Sequence, residues 1–183
     1  AMKAAETGHL LISTLHTPDA QSTILRIMAM FPPEEQEVVR IRLAESLHAV
    51  VSQRLLKRRD GTGRAVAAEV LIVTPAVRDM IADGKRINEI RDYIEAGREQ
   101  YGMQTFDQHL ADLVHSKEVT FETAMAASTN PSDFELKLRM FGRLSQSLQM
   151  AEVAEAAASA EAAAADGPAL EGIQPGGFDF MVP

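Results

Sequence analysis

The 183-residue sequence contains no cysteine. Disulfides, zinc–thiolate sites and thiol catalysis are therefore excluded within it. It holds no apolar run approaching the roughly 20 residues that a membrane-spanning helix needs. It also lacks the G-x-x-x-x-G-K-[ST] pattern that cradles phosphates. Gly61-Thr62-Gly63-Arg64 has neither the lysine nor the spacing, and reads as turn chemistry. Lys and Arg do not cluster as a nucleic-acid-binding face requires. From Met150 onward there is no Lys or Arg at all, against six acids: Glu152, Glu155, Glu161, Asp166, Glu171 and Asp179. Without those six the formal charge of −8 becomes −2, so overall acidity says little about partners.

What is present begins with a compressed grammar. Ala1–Thr7 reads as a helix tail, with Gly8 as a left-handed stop. Leu10–Leu15 is a short apolar run, as expected of a buried strand, and it ends in Thr14-Leu15-His16-Thr17. This arrangement belongs to the interior of an α/β nucleotide-binding domain. The expected chain is thus a fragment whose phosphate-binding half lies upstream. Thr17-Pro18-Asp19 opens a helix, with Thr17 as the capping hydroxyl, and Ile24, Ile27 and Met28 share one side of it. Pro33-Glu34-Glu35 starts a longer helix in which Val39, Leu43, Leu47 and Val50 repeat at helical spacing. Two strand-like segments follow, Val51–Leu56 and Arg64–Val73, around the hairpin signal Asp60-Gly61.

After Thr74-Pro75 the pattern is helical. Helices are predicted at about 75–83, 88–97, 105–116, 120–127 and 132–145. Thr74 is the expected N-cap of the first, and Thr105…Gln108 and Ser132…Glu135 are capping-box patterns. Val153–Ala165 has high helix propensity but no apolar stripe beyond alanine, so a fraying helix and then a disordered tail are expected. Phe178, Phe180 and Met181 either dock somewhere or belong to a loose terminus.

Seven residues of extended chain span about 23 Å, so His9 and His16 cannot meet at one phosphate of a single subunit. Ligands of open α/β sheets lie beyond the carboxyl ends of the strands. That makes His16, with Thr14 beside it, the candidate for touching nucleotide or a catalytic water. His9, at the other end, orders a loop or touches a neighbouring subunit. Arg26 forms either a surface salt bridge or an arginine supplied to a phosphate. Lys57, Arg58 and Arg59 read as a solvated turn, or as a contact for an acidic partner or anionic lipid. His48, His109 and His115 fall on predicted helices without metal-like clustering, and no metal site is expected.

Ala4-Ala5-Glu6-Thr7-Gly8-His9-Leu10, Thr14-Leu15-His16-Thr17, Arg26 and Phe31-Pro32 together resemble the secretion ATPases that power type IV pili and type II secretion. His9 and His16 correspond to that family's His box. Its extension and secretion branches insert a four-cysteine segment after the Gln-Arg-Leu strand. Here Gln53-Arg54-Leu55 runs directly into a short hairpin, as in the retraction branch. Ala76-Val77-Arg78-Asp79-Met80-Ile81-Ala82-Asp83 resembles that branch's Ala-Ile-Arg-Asn-Leu-Ile-Arg-Glu helix. Ala76, Arg78 and Ile81 agree, Val77, Asp79, Met80 and Asp83 are mild changes, and Ala82 replaces an arginine. Gly102-Met103-Gln104-Thr105-Phe106-Asp107 and Asn130-Pro131-Ser132-Asp133-Phe134 extend the match to about Phe141.

The resemblance implies an α/β fold: residues 1–74 as the second half of a RecA-like P-loop NTPase core, residues 75–146 as an all-helical C-terminal subdomain, and residues 147–183 as a disordered tail. It implies a hexameric, cytoplasmic ATPase, peripheral at the inner-membrane base of the pilus machine and working on a platform protein there, with no nucleic acid and no transmembrane segment. ATP and Mg2+ would be held mainly by the upstream half, so the chain alone would be inactive. His16 and Arg26 would act at the phosphates, with Thr14 at the nucleotide, and the Ala76–Asp83 helix would couple nucleotide state to retraction. The alternatives are a retraction accessory paralogue, or a non-catalytic helical module that never carries a P-loop.

Overall fold

Asp60-Gly61-Thr62-Gly63 reverses the chain between two strands in the computed structural model, which describes residues 2–140. Asp60 Oδ1 accepts the Thr62 amide at 2.9 Å, the side-chain turn chemistry that an Asp-Gly sequence offers. β1 (Ala49–Lys57) and β2 (Arg64–Ile72) pair antiparallel, from Ala49↔Ile72 to Lys57↔Arg64. Directly opposite residues share a face. The inner face therefore carries four rungs: Val50/Leu71, Ser52/Glu69, Arg54/Ala67 and Leu56/Ala65. The outer face carries Val51/Val70, Gln53/Ala68 and Leu55/Val66, and Val51 and Leu55 stand exposed on it. Both predicted strands are present, each slightly longer or shorter than expected.

Helices precede and follow the hairpin. α1 (Met2–Glu6) ends at Gly8, whose φ of 84° is the left-handed stop that the sequence predicts. α2 (Ala20–Met28) is capped by Asp19, whose Oδ1 accepts the Ser22 amide at 2.6 Å. Thr17 is therefore not the cap; its hydroxyl lies 2.6 Å from that of Thr23 instead. α3 (Gln36–Ser46) begins after a turn at residues 33–35, later than expected. It stops before Leu47, so Val50 belongs to β1.

α4 (Pro75–Asp83) has the predicted Thr74 cap and Pro75 at its first position. It ends at Gly84, where φ is 74° and a Cβ would meet Arg40 Nη1 at 2.9 Å. The predicted helix at 88–97 is split into a tight turn, Ile87–Glu89, and α5 (Ile90–Ala96). α6 (Arg98–Tyr101) is a short extra turn. α7 (Phe106–His115) carries the full Thr105/Gln108 capping box, and α8 (Phe121–Ala127) is capped by Thr120. Residues 131–140 are helical. Their N-terminal side-chain acceptor is Asn130, which takes the Asp133 amide at 3.3 Å, rather than Ser132. The rest of the helix predicted at 132–145 and the tail with Phe178, Phe180 and Met181 lie outside the described residues.

The chain divides after Leu138, and the architecture given is that of the unit up to there. Two apolar clusters form in it. Ile24, Leu43, Leu71, Val77, Ile81, Ile90, Ile94 and Met103 build one, with Val50. Phe106, Leu110, Leu113, Val119, Ala124 and Phe134 build the other around Leu56, Ala65 and Ala67. The hairpin thus gives one end of its inner face to each cluster, and the Ser52/Glu69 and Arg54 positions form a polar belt between them.

Candidate functional site

The predicted strand Leu10–Leu15 is not a strand, and it is not buried. Leu10 is 90% and Ile12 85% exposed. Beyond the His9 amide, which donates to Ala4 O at 3.1 Å, no backbone hydrogen bond holds residues 9–16 among the described residues. A strand needs a neighbour to accept its amides and carbonyls, and no described segment supplies one. β1 has the same character on one side. β2's outer edge is closed by Gln104, which exchanges backbone bonds with Val70 at 2.8 and 3.1 Å, and by His109 Nδ1, which accepts the Ala68 amide at 2.9 Å. No backbone bond closes the far edge of β1 among the described residues.

His9, Thr14 and His16 lie on the unpaired segment. His9 Nδ1 is 3.0 Å from the Thr7 hydroxyl, in the turn after α1. Thr14 and His16 are exposed, and Leu15 between them is half-buried. Arg26 sits in the last turn of α2, exposed and without an ion pair among the described residues. The structure joins no two of Thr14, His16 and Arg26 by a hydrogen bond. On the Ala76–Asp83 helix, Val77, Met80 and Ile81 are buried, and Arg78, Asp79 and Asp83 face outward. Arg40 Nε donates to Ala82 O at 2.8 Å and fixes the end of that helix to α3. In the basic turn Lys57 and Arg59 are exposed, and half-buried Arg58 lies 3.4 Å from Glu118 and 4.0 Å from Asp60.

Sequence reasoning missed a second cluster, at the polar belt. Glu69 is 6% exposed, and its Oε1 accepts the Ala20 amide at the start of α2 at 2.8 Å. It lines a cavity of about 110 Å³ with Asp19, Arg54, Arg91 and Phe106 among others. Arg54 lies with its guanidinium 3.9 Å from the Phe106 ring centre and donates to Ala127 O at 2.6 Å. Arg91 pairs with Asp107 at 3.0 Å. Burial pushes the Glu69 carboxyl above its ordinary range and nearby Asp19 adds to that, while the Ala20 amide, Arg54 and Arg91 pull it back. One signal was available: Glu69 occupies an inward position in the alternation Ala65, Ala67, Glu69, Leu71, where an apolar residue is expected. Among the described residues, no group of three or more His, Asp or Glu side chains could hold a metal ion, and no helix is long and apolar enough to cross a membrane.

Residues 1–135 match the family model described as Type II/IV secretion system protein. A twitching motility protein from Neisseria gonorrhoeae is 47% identical over 130 residues, 71% of this chain and 34% of the relative. The type IV pilus ATPase PilU of Pseudomonas aeruginosa is 38% identical over 140 residues, 76% of this chain and 36% of the relative. A crystal structure of the pilus retraction motor PilT with bound ADP superposes with a TM-score of 0.64 at 40% identity, covering 73% of this chain and 36% of that one. The α/β architecture is thus that of one part of such a motor, and the chain spans about a third of the length of these relatives.

Proposed function

From a chain that belongs to the Type II/IV secretion system protein family, we infer the C-terminal part of an ATPase motor that retracts type IV pili. One observation carries the reading. An apolar segment with an unpaired backbone leaves the packed body and ends at an exposed imidazole, His16, immediately before a capped helix. Such a segment is built to lie within a sheet whose two faces are covered, and the open edge of β1 offers a place beside which further strands could pair. In this reading residues 1–74 complete a RecA-like core, and the helices from Pro75 to the end of the described residues belong to the helical subdomain. Residues upstream hold ATP and its Mg2+.

Within the assembled site, His16 and Thr14 face the phosphate end of the nucleotide, and His9 orders the opposite end of the segment. Arg26 brings positive charge to the transferring phosphoryl group, where fixed cations stabilise developing charge. The Ala76–Asp83 helix passes the nucleotide state on to retraction. The motor works as a homo-hexamer on the cytoplasmic side of the inner membrane, against a pilus platform protein. Names of relatives support retraction over a helical adaptor without a P-loop, and the PilU relative keeps an accessory retraction ATPase as the second reading. The two retraction readings separate genetically: loss of the motor abolishes twitching in a strain with an intact second retraction ATPase, whereas loss of an accessory enzyme does not.

The test is turnover by the intact protein. Magnesium-dependent ATP hydrolysis is expected from it and not from the 183-residue chain alone. His16→Ala lowers kcat by about 100-fold, the scale of one positioned catalytic group, with the melting temperature unchanged. An unaltered kcat removes His16 from the site, and an upstream coding sequence without a P-loop removes the motor.

A further inference from the structure

Burying a charge costs stability unless partners compensate it, and Glu69 is a buried acid in the polar belt. It stands on the inner face of the hairpin between the two apolar clusters, opposite Ser52. Its Oε1 receives the first amide of α2, from Ala20, a residue with no exposed surface. A carboxylate at a helix N-terminus interacts with the helix dipole and with a donor that the helix itself cannot satisfy. The charge-assisted bond is stronger than one between neutral groups. Asp19, Arg54 and Arg91 are the charged groups around it.

The position of this bond matters more than its strength. Ala20 lies four residues after His16, where the exposed segment joins the packed body. Glu69 lies five residues before Thr74, the cap of α4. A second tie runs parallel to the first: Gln21 Nε2 donates to Asn88 Oδ1 at 2.7 Å, joining the first turn of α2 to the turn beyond α4. The start of α2 is therefore gripped from β2 and from the region following α4.

We propose that Glu69 is a positioning residue: its buried carboxylate holds the N-terminus of α2, and with it the His16 segment, in fixed register with β2 and α4. Resting on the motor reading above, this makes Glu69 the mechanical joint between the nucleotide-facing segment and the helix that transmits movement. A joint of this kind is a physically connected element through which both ends act.

Glu69→Gln tests it, since glutamine keeps the shape and one oxygen but loses the charge. On the 183-residue chain at pH 7, Glu69→Gln leaves the melting temperature equal or higher. It still speeds amide hydrogen exchange over Ala20–Thr23 about tenfold, because local opening and global unfolding are separate quantities. In the intact protein the same substitution lowers kcat about tenfold with KM unchanged, a coupling of ordinary size. Unchanged exchange at Ala20 overturns the proposal, as does full kcat despite faster exchange. A melting temperature that falls in step with kcat also overturns it, by making Glu69 a plain packing residue. If the unsubstituted intact protein hydrolyses no ATP, the motor reading fails, while the exchange measurement still decides whether Glu69 anchors α2.

Discussion

Glu69 lies on the hairpin's inner face, where burial limits hydration of the charge it acquires on ionising. Its folded-state pKa is raised above the ordinary 4.5 by that burial. The neutral form is therefore the one that folding favours. The stability it contributes is fully present below pH 4.5 and is lost as pH rises through the raised folded value. A glutamine has no such titration. The melting temperature of Glu69→Gln relative to the wild type should consequently rise as pH climbs from 4.5 through the raised folded value, a trend that a series of thermal melts will register. Glu69→Ala differs, because it strands the Ala20 amide without an acceptor, at a cost of about 1–3 kcal/mol; the net loss shrinks as pH rises, since the wild type itself loses stability there. At this scale the sequence was half legible. His16 and Arg26 were nameable from their setting, and both are exposed. Glu69 was passed over although it breaks the apolar alternation of β2, because one inward acid has no visible partner until α2 is folded over it.

Elements were read more surely than single contacts, since caps are written locally. Thr74 and Thr105 were identifiable as caps from three or four neighbouring residues, and both accept the amides expected of them. Around Thr105 the accounting is complete. Gln108 Oε1 accepts the Thr105 amide at 3.0 Å, and Gln108 Nε2 donates to Glu95 O at 3.0 Å, tying α7 to α5. Thr105→Ala removes the cap of a buried helix start at a cost of about 1 kcal/mol, a fall in melting temperature of about 3 °C. Thr105→Ser restores most of it. Where two capping residues competed, local pattern failed. Asp19 displaced Thr17 and Asn130 displaced Ser132. In each case the choice depends on the backbone angle at which the chain enters the helix, which packing sets. Leu10–Leu15 failed for the converse reason: its apolar pattern describes a buried strand, but pairing needs neighbours that the described residues do not contain.

For the whole molecule, that unpaired segment is the main liability. Exposed aliphatic side chains on a backbone with open donors and acceptors invite association. Leu10→Ser with Ile12→Ser should reduce hydrophobic-dye binding and self-association of the 183-residue chain. Stability should change by no more than about 0.5 kcal/mol, as for surface sites generally, and light scattering together with a melt measures both. On the motor reading, which sets the segment between other strands of the intact protein, the same pair is expected to abolish ATP turnover. The class of fold was legible from the sequence because hairpin and helix signals are short-range. The division of the interior into two clusters was not, since it arises from which helices close over each end of one ribbon.

That shared ribbon has a thermodynamic corollary. Val50 with Leu71 and Leu56 with Ala65 are rungs of a single ladder, so neither cluster can lose its floor while the other keeps its own. Calorimetry of the unit should accordingly show one heat-absorption peak, with calorimetric and van't Hoff enthalpies in agreement, although its interior is packed in two places.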